Sequence, residues 1–230
     1  MTLLDEAVVL NDGSLMPKVG VVVGNKPVDD AIKAGYRLID CSLDQKTKLK
    51  AENPQLYVEV QIPEDVITRD DFKKIRQDII DHHADLCLLK LSDNKERNGQ
   101  IWQELEQLRI QGWIKNIGVI NISVDALNEL LNHTQVRPCV AQISYEDQGL
   151  INLARENRIQ VEIPVYGDIN ALAEIASHYG TSSVELVMRY FSQKGIVPLF
   201  EIEDVVENPR INFTINAEDL ATIGQLFAQK

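Results

Sequence analysis

The sequence alternates short, β-branched apolar stretches with amphipathic segments, and this alternation repeats eight times. Strands that alternate with helices predict right-handed crossovers and a parallel sheet. Eight such units in 230 residues fit a closed barrel better than an open sheet. We therefore predict an α/β fold in which residues 1–230 form a single (β/α)8 TIM barrel domain. The predicted strands cover residues 19–23, 36–40, 56–62, 84–91, 114–120, 137–144, 159–165 and 196–200.

The segments around these strands add local detail. Asn11-Asp12-Gly13 is typical of a β-hairpin turn, so we expect an N-terminal hairpin that closes the bottom of the barrel. Thr68, with Asp71 three residues later, predicts the start of a helix over 68–83. The polar, lysine-rich stretch 45–52 predicts only a short second helix.

Charge and composition exclude several classes of protein. A net charge of -12 argues against nucleic acid or an anionic membrane surface as a partner, because both require a basic footprint. No apolar stretch reaches the roughly 18 residues of a membrane span, and the start lacks a signal-peptide pattern. We therefore expect a soluble cytoplasmic protein that binds no membrane.

The cysteines and histidines do not predict a metal site. Cys41, Cys87 and Cys139 are odd in number, lack metal-ligand spacing and lie in or beside apolar stretches, which favours buried core residues. His82 and His83 are too few to ligate a metal without further partners. We expect no bound metal.

In a barrel of this kind, chemistry occurs at the carboxyl ends of the strands. Asp40 is the only carboxylate at these positions and Lys90 the only cation. The two could form an acid–base couple or an ion pair that holds the rim together, and the lack of a third tuned group favours the ion pair. The positions concerned are Asp40, Gln61, Lys90, Asn121, Gln142, Pro164 and Leu199.

Several segments, in order along nearly the whole chain, resemble the aldo-keto reductase family. They include "AIKAGYRLIDCS", "ADLCLLKL" and "WQELEQLRIQGWIKNIGVINIS". The resemblance implies a barrel that reduces carbonyls with NADPH, using an Asp, a Tyr proton donor, a Lys and a His. The matching segments cover residues 10–20, 31–42, 84–91, 102–123, 136–145 and 172–198.

Carried over by position, the resemblance leaves one of the four catalytic residues in place. The Asp is Asp40, whereas the Tyr, Lys and His positions hold Gln45, Gln61 and Lys90. An amide at position 45 has no proton to donate at neutral pH. Loss of general acid catalysis alone costs on the order of 10²–10⁴-fold in rate.

The resemblance also assigns the nicotinamide contacts. The Ser-Asn pair and the Gln that hold the nicotinamide amide fall at Ile120, Asn121 and Gln142, so two of three persist. The aromatic residue that stacks on the ring falls at Pro164, with Tyr166 two residues on.

The implied phosphate contacts are lost. The Lys-Ser pair that grips the adenosine phosphate falls at Leu199-Phe200. The following basic residue falls among Glu201, Glu203 and Asp204, which would repel a 2′-phosphate.

These observations favour a catalytically inactive, aldo-keto reductase-like barrel, a pseudoenzyme with a binding or regulatory role. It would need no cofactor, and its protein partner is unknown. The alternative is a divergent oxidoreductase that reduces aldehydes or ketones with NADP or NAD through Asp40 and a repositioned group. Schiff-base chemistry at Lys90 is a third hypothesis, which Asp40 opposes because a carboxylate raises a lysine pKa.

Overall fold

A computed structural model describes residues 3–23, 27–43, 49–63, 65–81, 83–120 and 122–228. It opens with the predicted hairpin, in which strand β1 (Ala7–Val9) pairs antiparallel with β2 (Leu15–Pro17). Gly13 takes a φ of 85° in the turn, where glycine is favoured. Leu10 and Met16 are buried against apolar residues of the barrel interior, and the Asn116 amide lies 2.8 Å from the Ser14 hydroxyl. The hairpin therefore closes the bottom of the barrel.

Eight parallel strands form the closed barrel and confirm the predicted fold. Each strand pairs with the next along the chain, and the last strand pairs with the first to close the ring. Every predicted strand overlaps an observed one. The strands are β3 (Gly20–Val22), β4 (Leu38–Ser42), β5 (Tyr57–Ile62), β6 (Leu86–Lys90), β7 (Asn116–Ile120), β8 (Val140–Gln142), β9 (Gln160–Pro164) and β10 (Val197–Glu201).

Helices surround the barrel and cover its outer face. The predicted 45–52 helix is observed as a short helix at its end, and residues 44–48 lie outside the described part of the chain. The helices are α1 (Asp29–Ala34), α2 (Leu49–Glu52), α3 (Arg69–Asp81), α4 (Lys95–Ile110), α5 (Val124–His133), α6 (Gln148–Glu156), α7 (Ala173–His178), α8 (Ser183–Gln193) and α9 (Ala217–Ala228). Short 3-10 helices cover Leu3–Asp5, Ile169–Leu172 and Ile202–Asp204.

The apolar residues form two cores. The larger core lies between the strands and the helices, and the smaller one fills the barrel interior with residues such as Leu38, Leu88 and Leu199. Because side chains alternate across a strand, residues two apart share a face. Asp40 therefore shares the inner face with Leu38, and Lys90 shares it with Leu88.

Candidate active site

Three of the four catalytic positions implied by the resemblance lie at the carboxyl end of the barrel. Asp40, Gln61 and Lys90 lie on the consecutive strands β4, β5 and β6. Asp40 is buried, whereas Gln61 and Lys90 are half-buried at the rim. Gln45, at the proton-donor position, lies outside the described residues, and so does Asn121.

Asp40 is held by two side-chain amides. Gln61 Nε2 donates to Asp40 Oδ2 at 3.1 Å and to Oδ1 at 3.4 Å. Gln142 Nε2 reaches across the barrel from β8 and donates to Asp40 Oδ2 at 3.3 Å. Burial, only partly opposed by these hydrogen bonds, raises the pKa of Asp40 to about 6.

This arrangement corrects the prediction of an Asp40–Lys90 ion pair. Between described residues, the ion pairs of the structure do not include one that joins these two side chains. The physical reason is the strand order, because β5 lies between β4 and β6. Gln61 on β5 is the nearer neighbour of Asp40, and it contributes a neutral donor in place of a cation.

A pocket of about 350 Å³ opens beside these residues. Its polar lining includes Gln61, Lys90, Gln142 and Tyr166, and its apolar lining includes isoleucines that follow strands β7 and β8. Tyr166 is 56% exposed, and its pKa is raised by burial first and then by the negative charges of Asp40 and Glu201. The mouth therefore presents the phenol of Tyr166 and the ammonium group of Lys90 to a small ligand.

The positions implied for the cofactor are largely buried or already bonded. Both amide hydrogens of Gln142 are used within the barrel, one by Asp40 and one by Glu59 at 3.1 Å. Leu199 packs in the barrel interior, and Phe200 is buried in the outer core. Asp204 lies close enough to Glu201 for that charge to add to burial in raising its pKa.

The structure also contains two acids that the sequence interpretation missed. Glu59 on β5 and Glu162 on β9 are both 0% exposed. Each lies two residues before a mouth position, Gln61 and Pro164 respectively, and so points into the barrel one layer deeper. A single acid within an otherwise apolar strand, as in "LYVEVQI", was the available signal.

The predicted cysteine environment is confirmed. Cys41, Cys87 and Cys139 are all buried free thiols, and burial raises the pKa of Cys41 and of Cys139 to about 12.

Of the histidines, His133 ends α5 and its Nδ1 lies 2.9 Å from the Glu129 carbonyl oxygen. Within the described ranges, no group of three or more His, Cys, Asp or Glu side chains could hold a metal ion. No described helix is long and apolar enough to cross a membrane.

Comparison with known proteins gives a consistent answer. A family model described as "Aldo/keto reductase family" matches residues 61–163. The chain is 27% identical to glyoxal reductase of Bacillus subtilis, covering 98% of this chain and 94% of the relative. It is 25% identical to methylglyoxal reductase DkgA of Escherichia coli K12, covering 94% and 92%. These similarities span almost the whole chain. The chain is therefore similar to aldo-keto reductases along almost its whole length.

Solved structures agree on the fold. An aldo-keto reductase from Brucella melitensis superposes with a TM-score of 0.83 at 21% identity, covering 96% of this chain and 99% of that one. A Bombyx mori aldo-keto reductase in complex with NADP gives a TM-score of 0.78 at 20% identity, covering 96% and 92%. The alignment with glyoxal reductase runs over 260 positions, more than the 230 residues here, so that relative carries insertions that this chain lacks.

Proposed function

We propose that this aldo-keto reductase-like barrel does not reduce carbonyls, and that its mouth has a binding or regulatory role. The observation that carries the proposal is the contact between Gln61 and Asp40. In the implied tetrad a lysine at position 61 would lower the pKa of the proton donor. A primary amide carries no charge and cannot do so.

Tyr166 does not replace the missing proton donor. It lines the mouth pocket, but burial and the charges of Asp40 and Glu201 raise its pKa. An effective general acid has a pKa close to the working pH. The environment of Tyr166 therefore shifts its pKa in the unhelpful direction.

We also infer that the chain does not bind NADPH in the manner of the family. The amide hydrogens of Gln142 are already used by carboxylates, and Leu199 and Phe200 are buried apolar side chains. Residues 199–208 contain no Lys or Arg, and they carry the acids Glu201, Glu203, Asp204 and Glu207. A phosphate there would meet repulsion instead of a cation. The residues present do not fit the cofactor.

The alternative is a divergent NADPH- or NADH-dependent reductase of aldehydes or ketones. Two observations favour it: the named relatives are reductases, and Lys90 and Tyr166 line the same pocket. In that case Lys90 would polarise the carbonyl oxygen and the pocket would bind a small dicarbonyl.

Calorimetric titration with NADPH and NADH, combined with a turnover assay on methylglyoxal, tests the proposal. Calorimetry is preferable to tryptophan fluorescence because Trp102 is buried in α4 and Trp113 follows that helix, away from the mouth. Methylglyoxal reductase DkgA of Escherichia coli K12 serves as the positive control. We expect no saturable heat with either nucleotide, and turnover at least roughly 10⁴-fold below the control. Saturable binding together with turnover within about 100-fold of the control would establish the reductase instead.

A rescue variant separates the two halves of the proposal. Gln45→Tyr, Gln61→Lys and Lys90→His together restore the implied tetrad. We still expect no turnover, because the cofactor contacts stay absent. Turnover by this variant would show that the cofactor half is wrong, and its circular dichroism spectrum checks that it folds.

A further inference from the structure

Beneath the mouth, the barrel interior contains a second polar layer formed by three carboxyl groups. Asp40 and Glu59 lie directly opposite each other on the paired strands β4 and β5. Glu162 on β9 lies opposite Gln142 on β8. Gln142 Nε2 donates to both Asp40 and Glu59, which links the strands across the barrel. We call Asp40, Glu59 and Glu162 the interior acid cluster.

Parts of this cluster have no hydrogen-bond donor. Both oxygens of Glu162 and the Oε2 atom of Glu59 are buried without a partner in the described structure. Both side chains are fully buried, and a buried ionised carboxylate is strongly unfavourable unless a cation or several donors compensate it. Three charges cannot be accommodated here by Gln61 and Gln142 alone.

The environment adds repulsion between the acids, which hydrogen bonds oppose only in part. The pKa of Glu59 is raised well above its usual range by burial first and then by the charges of Glu162 and Asp40. Burial and Asp40 raise the pKa of Glu162 to about 8. For Asp40 and Glu162, none of the causes is a described lysine or arginine.

We infer that the interior acid cluster is a buried proton-binding site, in which protons on Glu59 and Glu162 take the place of a counter-ion. A proton on Glu59 supplies the missing donor to Glu162 and removes one negative charge. Asp40, which has two amide donors, keeps its charge at neutral pH and binds a proton as the pH falls. Only O–H bonds form and break in this exchange, and each proton comes from water and returns to it.

The groups that face the cluster do not replace these protons. Cys41 and Tyr57 are neutral because their pKa values are raised by burial first, and Glu201 only adds negative charge at the rim. Strands β3, β7 and β8 contribute no charged side chain. The titratable or charged side chains around the cluster are Cys41 on β4, Tyr57 on β5, Lys90 on β6, Tyr166 after β9 and Glu201 on β10.

The site is connected to the mouth through Gln61 and Gln142, which line the pocket and donate to the cluster. Protonation of Asp40 weakens it as an acceptor and frees both amides to donate to a ligand. This consequence rests on the proposed binding role, whereas the proton site itself does not.

Infrared spectroscopy tests the site without substrate or cofactor. At pH 7 exposed carboxyl groups are ionised, so a protonated-carboxyl C=O band reports buried groups. We expect such a band in the wild-type protein at pH 7, an isotope shift when glutamate is labelled with ¹³C, and a decrease of the band as the pH rises through about 8, where Glu162 loses its proton. No band at pH 7, including the case of an ionised cluster around a bound cation, would overturn the inference.

Variants assign the band to residues. Glu59→Gln and Glu162→Gln are close in shape to the wild type, and each should remove part of the band. Glu207→Gln, at an exposed position, is the matched control and should leave the band unchanged. A band that survives both interior substitutions at full intensity contradicts the assignment. If a variant fails to fold, the isotope shift and pH titration of the wild type still decide.

Discussion

The carboxyl group of Asp40 is stabilised by neutral donors in a position from which water is excluded. Gln61 and Gln142 each direct Nε2 toward it, and the side chain is only 2% exposed. Amide dipoles stabilise a charge less effectively than a full counter-ion does, so burial dominates and the pKa of Asp40 rises to about 6. The residue therefore weakens the folded state at the pH values at which it is ionised.

The first prediction concerns Asp40→Asn. The folded pKa of about 6 lies above the unfolded value near 3.9, so the folded state binds this proton more tightly. Wild-type stability is thus lost as pH rises from about 4 through about 6, and the amide variant avoids that loss. The free energy of unfolding of the variant, relative to the wild type, should therefore be larger at pH 8 than at pH 4 by on the order of 2–3 kcal/mol. Urea unfolding across this range measures it.

Asp93→Asn, in an exposed loop, is the control and should follow the wild-type curve. If Asp40→Asn and the wild type show the same pH dependence, Asp40 does not hold its proton as described.

Asp40 could be predicted from the sequence, but its partners could not. Its position follows from the end of a predicted strand. Gln142 is 102 residues away, and its contact depends on closure of the barrel and on the register of β8, which local patterns do not determine. The predicted ion pair with Lys90 was wrong for the same reason. The distance between two strand ends depends on which strand lies between them.

At the scale of the element, the start of α8 is the best-defined helix boundary. Ser182 Oγ accepts from the Glu185 backbone N–H at 3.3 Å, and Glu185 Oε2 accepts from the Ser182 backbone N–H at 2.9 Å. Glu185 also accepts from the Arg210 backbone N–H and from the Thr181 hydroxyl. Despite burial, these hydrogen bonds keep the pKa of Glu185 below its usual value. The capping box thus fixes both the helix and the chain near Arg210.

The second prediction compares two helix caps. Ser182→Ala removes the hydroxyl that accepts from the Glu185 backbone N–H and donates to Glu185 Oε2 at 2.8 Å. Ser123→Ala removes only the acceptor for Ala126 N–H. We expect losses of about 1–2 kcal/mol and about 0.5–1 kcal/mol respectively, measured by urea unfolding. An equal or larger loss in the Ser123 variant would show that the donation to Glu185 adds nothing.

Elements with their own local signals were predicted well. Thr68 and Asp71 form the expected reciprocal contacts at the start of α3, with Asp71 N–H donating to Thr68 Oγ1 at 3.2 Å. Strand positions followed from β-branched stretches bounded by turns. The stretch after β10 carries no such signal, and it forms only the short 3-10 helix Ile202–Asp204. Its acids favour solvent and supply no apolar face that would extend a helix.

At the scale of the molecule, two glycines let the barrel interior close. A Cβ at Gly20 would lie 2.5 Å from a methyl carbon of Leu199 and 2.6 Å from Leu38 Cγ. A Cβ at Gly118 would lie 2.7 Å from both Leu88 Cδ2 and the Val140 carbonyl oxygen. The Val140 oxygen belongs to a neighbouring strand, so it cannot yield without moving the sheet.

The third prediction follows from this difference in surroundings. Gly118→Ala should destabilise the protein by about 1–3 kcal/mol, since the added methyl group overpacks the interior against backbone. Gly99→Ala, within α4 and with nothing within 4 Å of the added carbon, should stabilise it by roughly 0.5–1 kcal/mol. Thermal and urea unfolding of the pair provide the measurement. If Gly118→Ala left the free energy of unfolding unchanged, β7 and β8 would be able to separate at little cost.

The barrel as a whole was predictable because eight local units dictate it, whereas the chemistry of its interior was not. Eight strand–helix repeats admit few topologies, and the closed ring is one of them. The interior layers combine residues from strands far apart in the chain, such as Glu59 and Glu162. Their proximity is a property of closure, so two isolated acids in separate strands gave no sign of a shared site.

The hairpin at the bottom of the barrel has a kinetic consequence. Leu10 and Met16 are buried against the inner residues, and Asn116 contacts both Ser14 and Tyr57 below them. Water therefore reaches Glu59 and Glu162 most directly from the opposite end, past Gln61 and Gln142. Any molecule seated in the mouth would obstruct that route, so hydrogen–deuterium exchange at the interior carboxyl groups should slow when the mouth is occupied.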